Sequence, residues 1–349
     1  MPIIYGSFYT DYMMKKLRKI ALIMVLLTCA NQGIQAQDVV FSQFYANPLY
    51  LNPAFAGSKV CPRLSLNYRS QWPALVSAYT TVSASYDQYF DQLHGGVGAI
   101  VMTDRQGDHG ALSTSALSIM YAFRFQLARE VWVNAGLEMG IVNTSLNWED
   151  LRFPDMIDKV TGFTGMTSAQ MPEETNKWYL DFDAGVLVYG PAWYAGFSAS
   201  HLTQPSNGFY GVVKLPMKFT ANVGALFNVA EEARRTSSLG LGTPVLSPNI
   251  IYQYQAGFHY FNYGLYLDWM PFLVGVWFRN GIGAERWNPD AFIFQVGFQQ
   301  DYFKIGYSYD VTVSKLTNNT SGAHELSLGV ILPCPEKKQR IKAIRCPSF

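Results

Sequence analysis

Apolar and polar side chains alternate along a series of short segments between residues 63 and 332. In the first segment, Leu66 and Tyr68 alternate with Asn67 and Arg69. A period of two residues is typical of a β-strand whose two faces meet different surroundings. Each segment therefore predicts a strand with one apolar face and one polar face.

About fourteen such strands fit the chain, an even number, as bacterial membrane barrels require. We predict an all-β fold, an antiparallel transmembrane barrel over residues 61–333. A secreted β-sandwich is the alternative, but this many strands exceed one sandwich. The predicted strands are residues 63–69, 80–88, 96–102, 117–125, 131–141, 180–188, 193–202, 217–227, two strands within 238–267, 272–279, 291–299, 302–313 and 324–332.

The predicted connections alternate in length, which indicates how the barrel is oriented. Bacterial barrels have short periplasmic turns and longer outer loops, so the odd-numbered connections are predicted at the cell surface and both ends of the barrel at the periplasm. The long even connection 229–244 is the exception and could be a periplasmic contact or a solvated charged loop. The long odd connections are 70–78, 103–110, 147–178, 203–215, 280–290 and 314–322, and the short even ones are 126–130, 189–192, 268–271 and 300–301.

Residues 41–57, FSQFYANPLYLNPAFAG, are apolar but follow neither a strand nor a helix period. Each proline lacks a backbone donor and disfavours helical geometry at the preceding asparagine. Such a segment needs an enclosure, and a fourteen-stranded lumen is wide enough to need filling. We therefore predict an N-terminal plug within residues 37–60. Its motif residues are Phe41, Tyr45, Asn47, Pro48, Asn52, Pro53 and Phe55.

Residues 1–36 have the features of a secretory signal peptide. A basic cluster at 15–19 precedes the apolar run 20–30 and a small residue, Ala36. Met13 or Met14 is the more natural start, so residues 1–12 could be an extension. A lipoprotein anchor at Cys29 is the alternative, although Thr28 stands where a smaller residue is wanted. We predict export to the outer membrane and a periplasmic C-terminal tail, residues 334–349.

Composition agrees with a membrane barrel. Aromatic residues and charged residues each make up 15% of the chain, whereas soluble domains carry about 25% charged residues. Removing residues 1–36 takes away four basic residues and one acidic residue, which changes the formal net charge from +1 to −2. A basic patch for nucleic acid is therefore not expected. No hydrolase or zinc motif surrounds the five histidines, so we predict no catalytic site, cofactor or metal.

Cysteines and lumenal charges give two further predictions. Three cysteines remain after export, Cys61, Cys334 and Cys346. Because the first and last strands of a closed barrel are neighbours, Cys61 and Cys334 should meet at the periplasmic rim, although a Cys334–Cys346 bridge is the alternative. Arg124, Glu138 and Glu325 are predicted to face the lumen, where Glu325 could pair with Arg69 or Arg124.

Seven motifs and the C-terminal residues 346–349 together resemble the PorP/SprF family of type IX secretion in the Bacteroidota. The resemblance covers nearly the whole mature chain in order. The proline-interrupted region around Pro244 and the short turn at Gln300 depart from the family pattern. The motifs are FSQFYANPLYLNPAFAG (41–57), NYRSQWPAL (67–75), GGVGAIVMTDRQG (95–107), LRFPDMID (151–158), HLTQPSNGF (201–209), GYSYD (306–310) and SGAHELSLG (321–329).

The resemblance implies a role in type IX secretion and gliding motility without enzymatic activity. It implies two kinds of partner, a secreted adhesin docked through its C-terminal domain and periplasmic secretion or peptidoglycan-binding components. The alternative function is a FadL-like channel for hydrophobic solutes, because Asn52-Pro53-Ala54 resembles the hatch of those channels.

Partner contacts are expected at the outer end of the barrel. Trp72 could instead belong to the interfacial aromatic belt. The 32-residue connection 147–178 is much longer than typical loops, and such loops tend to be functional or disordered. The residues predicted to face a secreted partner are Arg69, Trp72, Arg152, Phe153, Asp155 and Asp158.

Overall fold

The computed structural model describes residues 38–59, 61–75, 78–158, 162–229, 243–283, 286–300, 302–313 and 320–334. The predicted signal peptide and Cys346 lie outside these residues. No helix in the described part of the chain has the length and apolar character needed to cross a membrane.

The described residues form an antiparallel barrel of fourteen long strands, as the alternation predicts. Short paired segments also occur at Ile157–Asp158 with Gly162–Phe163, and at Phe227–Asn228. The barrel strands are β1 (Arg63–Gln71), β2 (Tyr79–Phe90), β3 (Gly95–Gln106), β4 (Leu112–Ala128), β5 (Val131–Leu146), β6 (Asn176–Tyr189), β7 (Trp193–Ser200), β8 (Lys218–Ala225), β9 (Val245–Gln255), β10 (Phe258–Trp269), β11 (Phe272–Gly283), β12 (Arg286–Gln300), β13 (Phe303–Thr312) and β14 (Ala323–Ile331).

The first and last strands close the barrel. Arg63 of β1 pairs with Ile331 of β14, and the register continues to Gln71 opposite Ala323. We call the end of the barrel that carries the connections 147–175 and 201–217 the long-loop end. The opposite end, where β1 begins and β14 finishes, is the short-turn end.

Side chains alternate across this wall with the apolar face outward. Along β1, Leu66 and Tyr68 are 40% and 47% exposed, whereas Asn67 and Arg69 are 3% and 2% exposed. An apolar exterior around a polar interior reverses the pattern of a soluble protein and is typical of a transmembrane barrel. The two strands predicted within 238–267 are β9 and β10.

The predicted turn at residues 280–290 is wrong. Asn280 pairs with Pro289 and Gly283 pairs with Arg286, so β11 and β12 continue to a tight hairpin. The sequence favoured a turn because this stretch contains glycine and proline. In the structure, a register shift after Arg279 leaves Asp290 unpaired in a bulge, and the two strands pair again from Asn280 and Pro289 onward.

The described N-terminal segment, residues 38–58, is buried almost throughout. It contains one helical turn, α1 (Pro48–Leu51), and one 3-10 turn, Pro53–Phe55. Its first residue, Asp38, contacts His201 and Lys218 at the long-loop end. Near the short-turn end, the Gly57 N–H donates to Asp87. The segment therefore extends from one end of the barrel to the other.

Candidate functional site

The asparagines that precede the two prolines attach the N-terminal segment to the barrel. Asn47 donates its amide to Ser83 Oγ at 2.9 Å. The Asn52 amide donates to the carbonyls of Val186 and Phe197, both at 3.2 Å, while its oxygen accepts from Ala54 N–H. Each asparagine thus supplies the polar contacts of an irregular backbone that has no strand partner.

Aromatic rings fill the space beside α1. Phe44 packs on Trp277 with ring centroids 5.1 Å apart, and Tyr45 meets the edges of Tyr194 and Tyr266. Tyr194, Tyr266 and Trp277 belong to strands β7, β10 and β11. Aromatic contacts of this kind add to the free energy of burial.

A buried charge network joins the segment to β1, β13 and β14. Arg69 lies 3.1 Å from Glu325 and 3.0 Å from Asp310. Both carboxylates also bind the segment, since the Ser42 N–H donates to Glu325 at 2.7 Å and the Ser42 hydroxyl donates to Asp310 at 2.6 Å. The Arg69 cation and the Ser42 donors compensate the two carboxylates, and the side chains of all three charged residues are buried.

This network corrects one predicted role. Arg69 was expected to face a secreted partner, but its guanidinium points into the barrel and is buried. Alternate residues of a strand lie on the same face, so Arg69 points into the lumen together with Asn67. Glu325 faces the lumen and pairs with Arg69. Arg124 instead donates to the Gly57 carbonyl at 2.7 Å.

A second cluster lies at the long-loop end around Asp38. One Asp38 oxygen accepts from Lys218 Nζ at 2.9 Å and lies 2.8 Å from His201 Nε2. Gln255 donates to the other oxygen and accepts from the Asp38 N–H, each at 3.0 Å. Glu138, predicted to face the lumen, pairs in register with Asp183, whose carboxylate accepts the His201 N–H.

Asp181, Asp183 and His201 are close enough to suggest a cation site, but their hydrogen bonds argue against one. His201 Nδ1 lies 2.6 Å from Asp181, while Nε2 lies 2.8 Å from Asp38. Carboxylates at both ring nitrogens favour the doubly protonated imidazolium, in which neither nitrogen can ligate a metal. His201 is therefore a cationic bridge between the segment and the barrel.

The charge of His201 makes this bridge sensitive to pH. Burial alone would lower the pKa of His201, but Asp38, with the hydrogen bonds to Asp181 and Asp38, raises it to about 10. A raised pKa stabilises the fold fully below the ordinary value of 6.5, and this contribution is lost as pH rises through about 10. The unfolding free energies of the wild type and His201→Gln should therefore converge as pH rises from 7 to 10.5. A difference that stays constant over this range would contradict the charged bridge.

Cys61 and Cys334 form a disulfide with Cα atoms 4.6 Å apart. The bond spans the β1–β14 seam at the short-turn end and is one of the two pairings that the sequence left open. Non-reducing peptide mapping should recover a Cys61–Cys334 peptide, and Cys334→Ser should lower the unfolding free energy by about 2–4 kcal/mol. Recovery of all three thiols in free form would refute the pairing.

The remaining residues predicted to face a partner lie at the long-loop end. Trp72 is half-buried, with its ring edge-on to Tyr79, and Phe153 packs on Trp148.

The charged candidates lie in the same region. Arg152 is exposed and lies 3.2 Å from Asp108. Asp155 and Asp158 are also exposed, and Asp155 accepts from the Ser168 N–H at 2.6 Å. The structure therefore places the loop residues outside the lumen, in contrast to Arg69.

The sequence did not predict an exposed apolar surface that lies on the connections 147–175 and 201–217. Met166 and Val212 are 76% and 83% exposed. Tyr210 donates its hydroxyl to the Gln170 carbonyl, so the two connections touch. The signal in the sequence is the presence of methionines and other large apolar residues in a connection between strands. We call this set the loop apolar surface, and it comprises Ile157, Phe163, Met166, Met171, Tyr210 and Val212.

A protein-family match covers both the barrel and the described N-terminal segment. The family described as type IX secretion system membrane protein PorP/SprF matches residues 34–330. The chain belongs to this family. The PorP/SprF match includes every strand except the last residue of β14, together with the whole described N-terminal segment. No curated protein matches significantly in sequence.

Solved structures resemble the barrel only distantly. Outer membrane protein Omp33 of Acinetobacter baumannii has 8% identity and a TM-score of 0.43, covering 78% of this chain and 99% of that chain. The TodX deltaS2S3 mutant, a monoaromatic hydrocarbon channel, has 10% identity and a TM-score of 0.46, covering 81% and 92%. The CymD channel has 9% identity and a TM-score of 0.44, covering 82% and 93%. This level of similarity says nothing about what the PorP/SprF chain binds.

Proposed function

We propose that this PorP/SprF protein is an outer-membrane docking barrel of the type IX secretion and gliding machinery. Its long-loop end faces the cell surface and holds a secreted adhesin, and its short-turn end contacts periplasmic secretion or peptidoglycan-binding components. The observation that carries this proposal is the loop apolar surface above a lumen that the N-terminal segment fills.

Exposed apolar groups clustered on loops outside the lipid are costly unless a partner covers them. Met166, Met171 and Val212 lie in connections beyond the ends of the barrel strands. Clusters of this kind mark protein interaction sites, and methionine suits such surfaces because its side chain adapts to irregular contacts. A rim of charged groups, including Arg152 and Asp155, would add specificity.

The filled lumen supports a docking role over a transport role. The segment forms hydrogen bonds with β1, β2, β4 to β9 and β12 to β14. Its aromatic rings pack on β7, β10 and β11. We propose that it is a plug that prevents free diffusion. The charged residues 231–235, for which the sequence left open a periplasmic contact or a solvated loop, lie outside the described residues.

The experiment is affinity purification of the barrel from detergent-solubilised outer membranes, followed by mass spectrometry. Recovery of a large surface protein is expected with the wild type. A Met166→Asp/Val212→Asp variant should lose most of it, because charges would be buried in the apolar contact. Thr203→Asp adds a charge at an exposed polar position of the same end and is the matched control. Equal recovery of the surface protein with all three proteins would refute docking on the loop apolar surface.

A channel for hydrophobic solutes is the second candidate, favoured by an apolar groove in the lipid-facing wall. The groove has a volume of about 610 Å³ and is lined by residues of β7 to β12, among them Pro248, Leu265 and Phe292. Trp277 forms part of its lining, and its ring packs against Phe44 and Tyr266. An entry route into the lumen would require these rings to move. Purification of the barrel with bound fatty acids and without protein partners would favour this candidate.

A further inference from the structure

The connection 201–217 has an unusual base, because both of its ends bind the same carboxylate. His201 follows β7 and Lys218 begins β8, and Asp38 of the N-terminal segment bonds to both. These contacts join residues that are distant in the sequence, because Asp38 is 163 residues from His201 and 180 from Lys218. The base of the loop and the outer end of the segment therefore share one contact.

The loop itself is a self-contained unit above this base. The Leu215 N–H donates to the Pro205 carbonyl at 2.8 Å and the Asn207 N–H donates to the Val213 carbonyl at 3.1 Å. Val212, near the tip, belongs to the loop apolar surface, as does Tyr210, which bonds to the neighbouring connection. A load on the tip is therefore transmitted to the two residues at the base.

His201 is held in a conformation that its surroundings must maintain. Its φ of 58° lies in the left-handed region, which disfavours side chains other than glycine. The Asp183 carboxylate accepts its N–H at 2.9 Å, and both ring nitrogens are engaged by carboxylates. Residues held in this way tend to lie where a structure changes between two states.

We propose that Asp38 is a latch through which the loop 201–217 and the N-terminal segment control each other's position. A partner that moves the loop would weaken both ion pairs, leave the Asp38 charge poorly compensated and favour release of the outer end of the segment. Coupling of this kind is reciprocal, so loosening the segment also loosens the loop. The biological use of the latch rests on the docking function proposed above, but the latch itself is a property of the barrel alone.

Hydrogen–deuterium exchange on the purified full-length barrel tests the latch without a partner. Asp38→Asn and His201→Gln should each accelerate exchange by about tenfold in two regions, residues 39–46 and 202–217, because each removes a charged buried contact. The double variant should accelerate exchange by less than the product of the two single effects, since both substitutions remove the Asp38–His201 contact. Lys218→Met is a substitute if His201→Gln folds poorly. It removes the other cation that binds Asp38, so it should also accelerate exchange in both regions.

Asp87→Asn is the matched control. Asp87 accepts from Gly57 N–H and pairs with Arg63 at 2.8 Å, so it holds the opposite end of the same segment. This variant should accelerate exchange near Gly57 and leave residues 202–217 at the wild-type rate. Wild-type exchange of the loop in Asp38→Asn would overturn the latch, as would multiplicative effects in the double variant. Failure of the wild-type barrel to recover a surface protein, with the exchange coupling between the two regions intact, would instead refute only the docking function.

Discussion

Replacing Arg69 by methionine is expected to lower the unfolding free energy of the barrel by about 3–5 kcal/mol, because two buried carboxylates lose their shared cation. Within the described residues, Glu325 would then keep neutral donors from Ser42 and Gln43, while Asp310 would keep Arg279 at 3.3 Å. Urea unfolding in detergent micelles, followed by tryptophan fluorescence, measures the change. The shift of the folded barrel to the unfolded band on SDS gels should also occur at a lower temperature.

Two further variants identify the cause of this loss. Arg69→Met/Glu325→Gln should be more stable than Arg69→Met alone. Glu325 loses its ion pair in Arg69→Met, and the second substitution removes its buried charge. Arg152→Ala is the control because it removes the same cation from an exposed pair with Asp108, and exposed pairs contribute at most about 1 kcal/mol. Equal losses in Arg69→Met and Arg152→Ala would show that burial of the network contributes nothing.

Displacing the N-terminal segment is expected to open the lumen to ions. Deletion of residues 38–57 should raise single-channel conductance in planar bilayers by roughly tenfold or more, because a fourteen-stranded barrel is too wide for its own side chains to fill. The segment supplies Phe41, Phe44, Tyr45 and Phe55 to the interior, and all four are buried. Unchanged conductance after deletion would contradict a plug.

A single substitution tests the same point with less disturbance. Gly185 of β6 faces the Asn52 side chain so closely that a Cβ atom there would overlap it, and Pro53 is also in contact. Gly185→Ala should therefore displace the segment and produce intermittent conductance. Gly329→Ala in β14 is the control, since its added Cβ would lie 3.9 Å from the nearest atom, Lys304 Cβ. Conductance in both variants would indicate a general loosening of the barrel.

The strands could be predicted because a bilayer imposes one environment outside and another inside. Along β1, each residue's face follows directly from its position in the alternation, and the same holds for β13. The alternation of apolar and polar residues weakens where a strand extends beyond the lipid, because neither face of the strand then needs to be apolar. That is why residues 280–290 resembled a turn although Asn280 and Pro289 are paired.

Contacts across the lumen could not be predicted in the same way. Alternation indicates that Arg69 and Asp310 each face one side of a strand, but not that strands β1 and β13 place them 3.0 Å apart. No sequence pattern distinguished Asp38, since one carboxylate ahead of the apolar segment resembles any solvated residue. The partners of such groups depend on the path of the N-terminal segment, which follows no period.

The path of the N-terminal segment determines the order in which the barrel can assemble. Residues 41–57 precede every barrel strand in the sequence, yet Ser42 and Gln43 bind Glu325, a residue more than 280 positions later in the chain. Their binding site does not exist until β14 has paired with β1. The apolar segment must therefore wait, shielded from aggregation, while the strands are inserted, and such non-local contacts slow folding. The finished barrel is thus a sheet that closes around the segment that precedes its first strand.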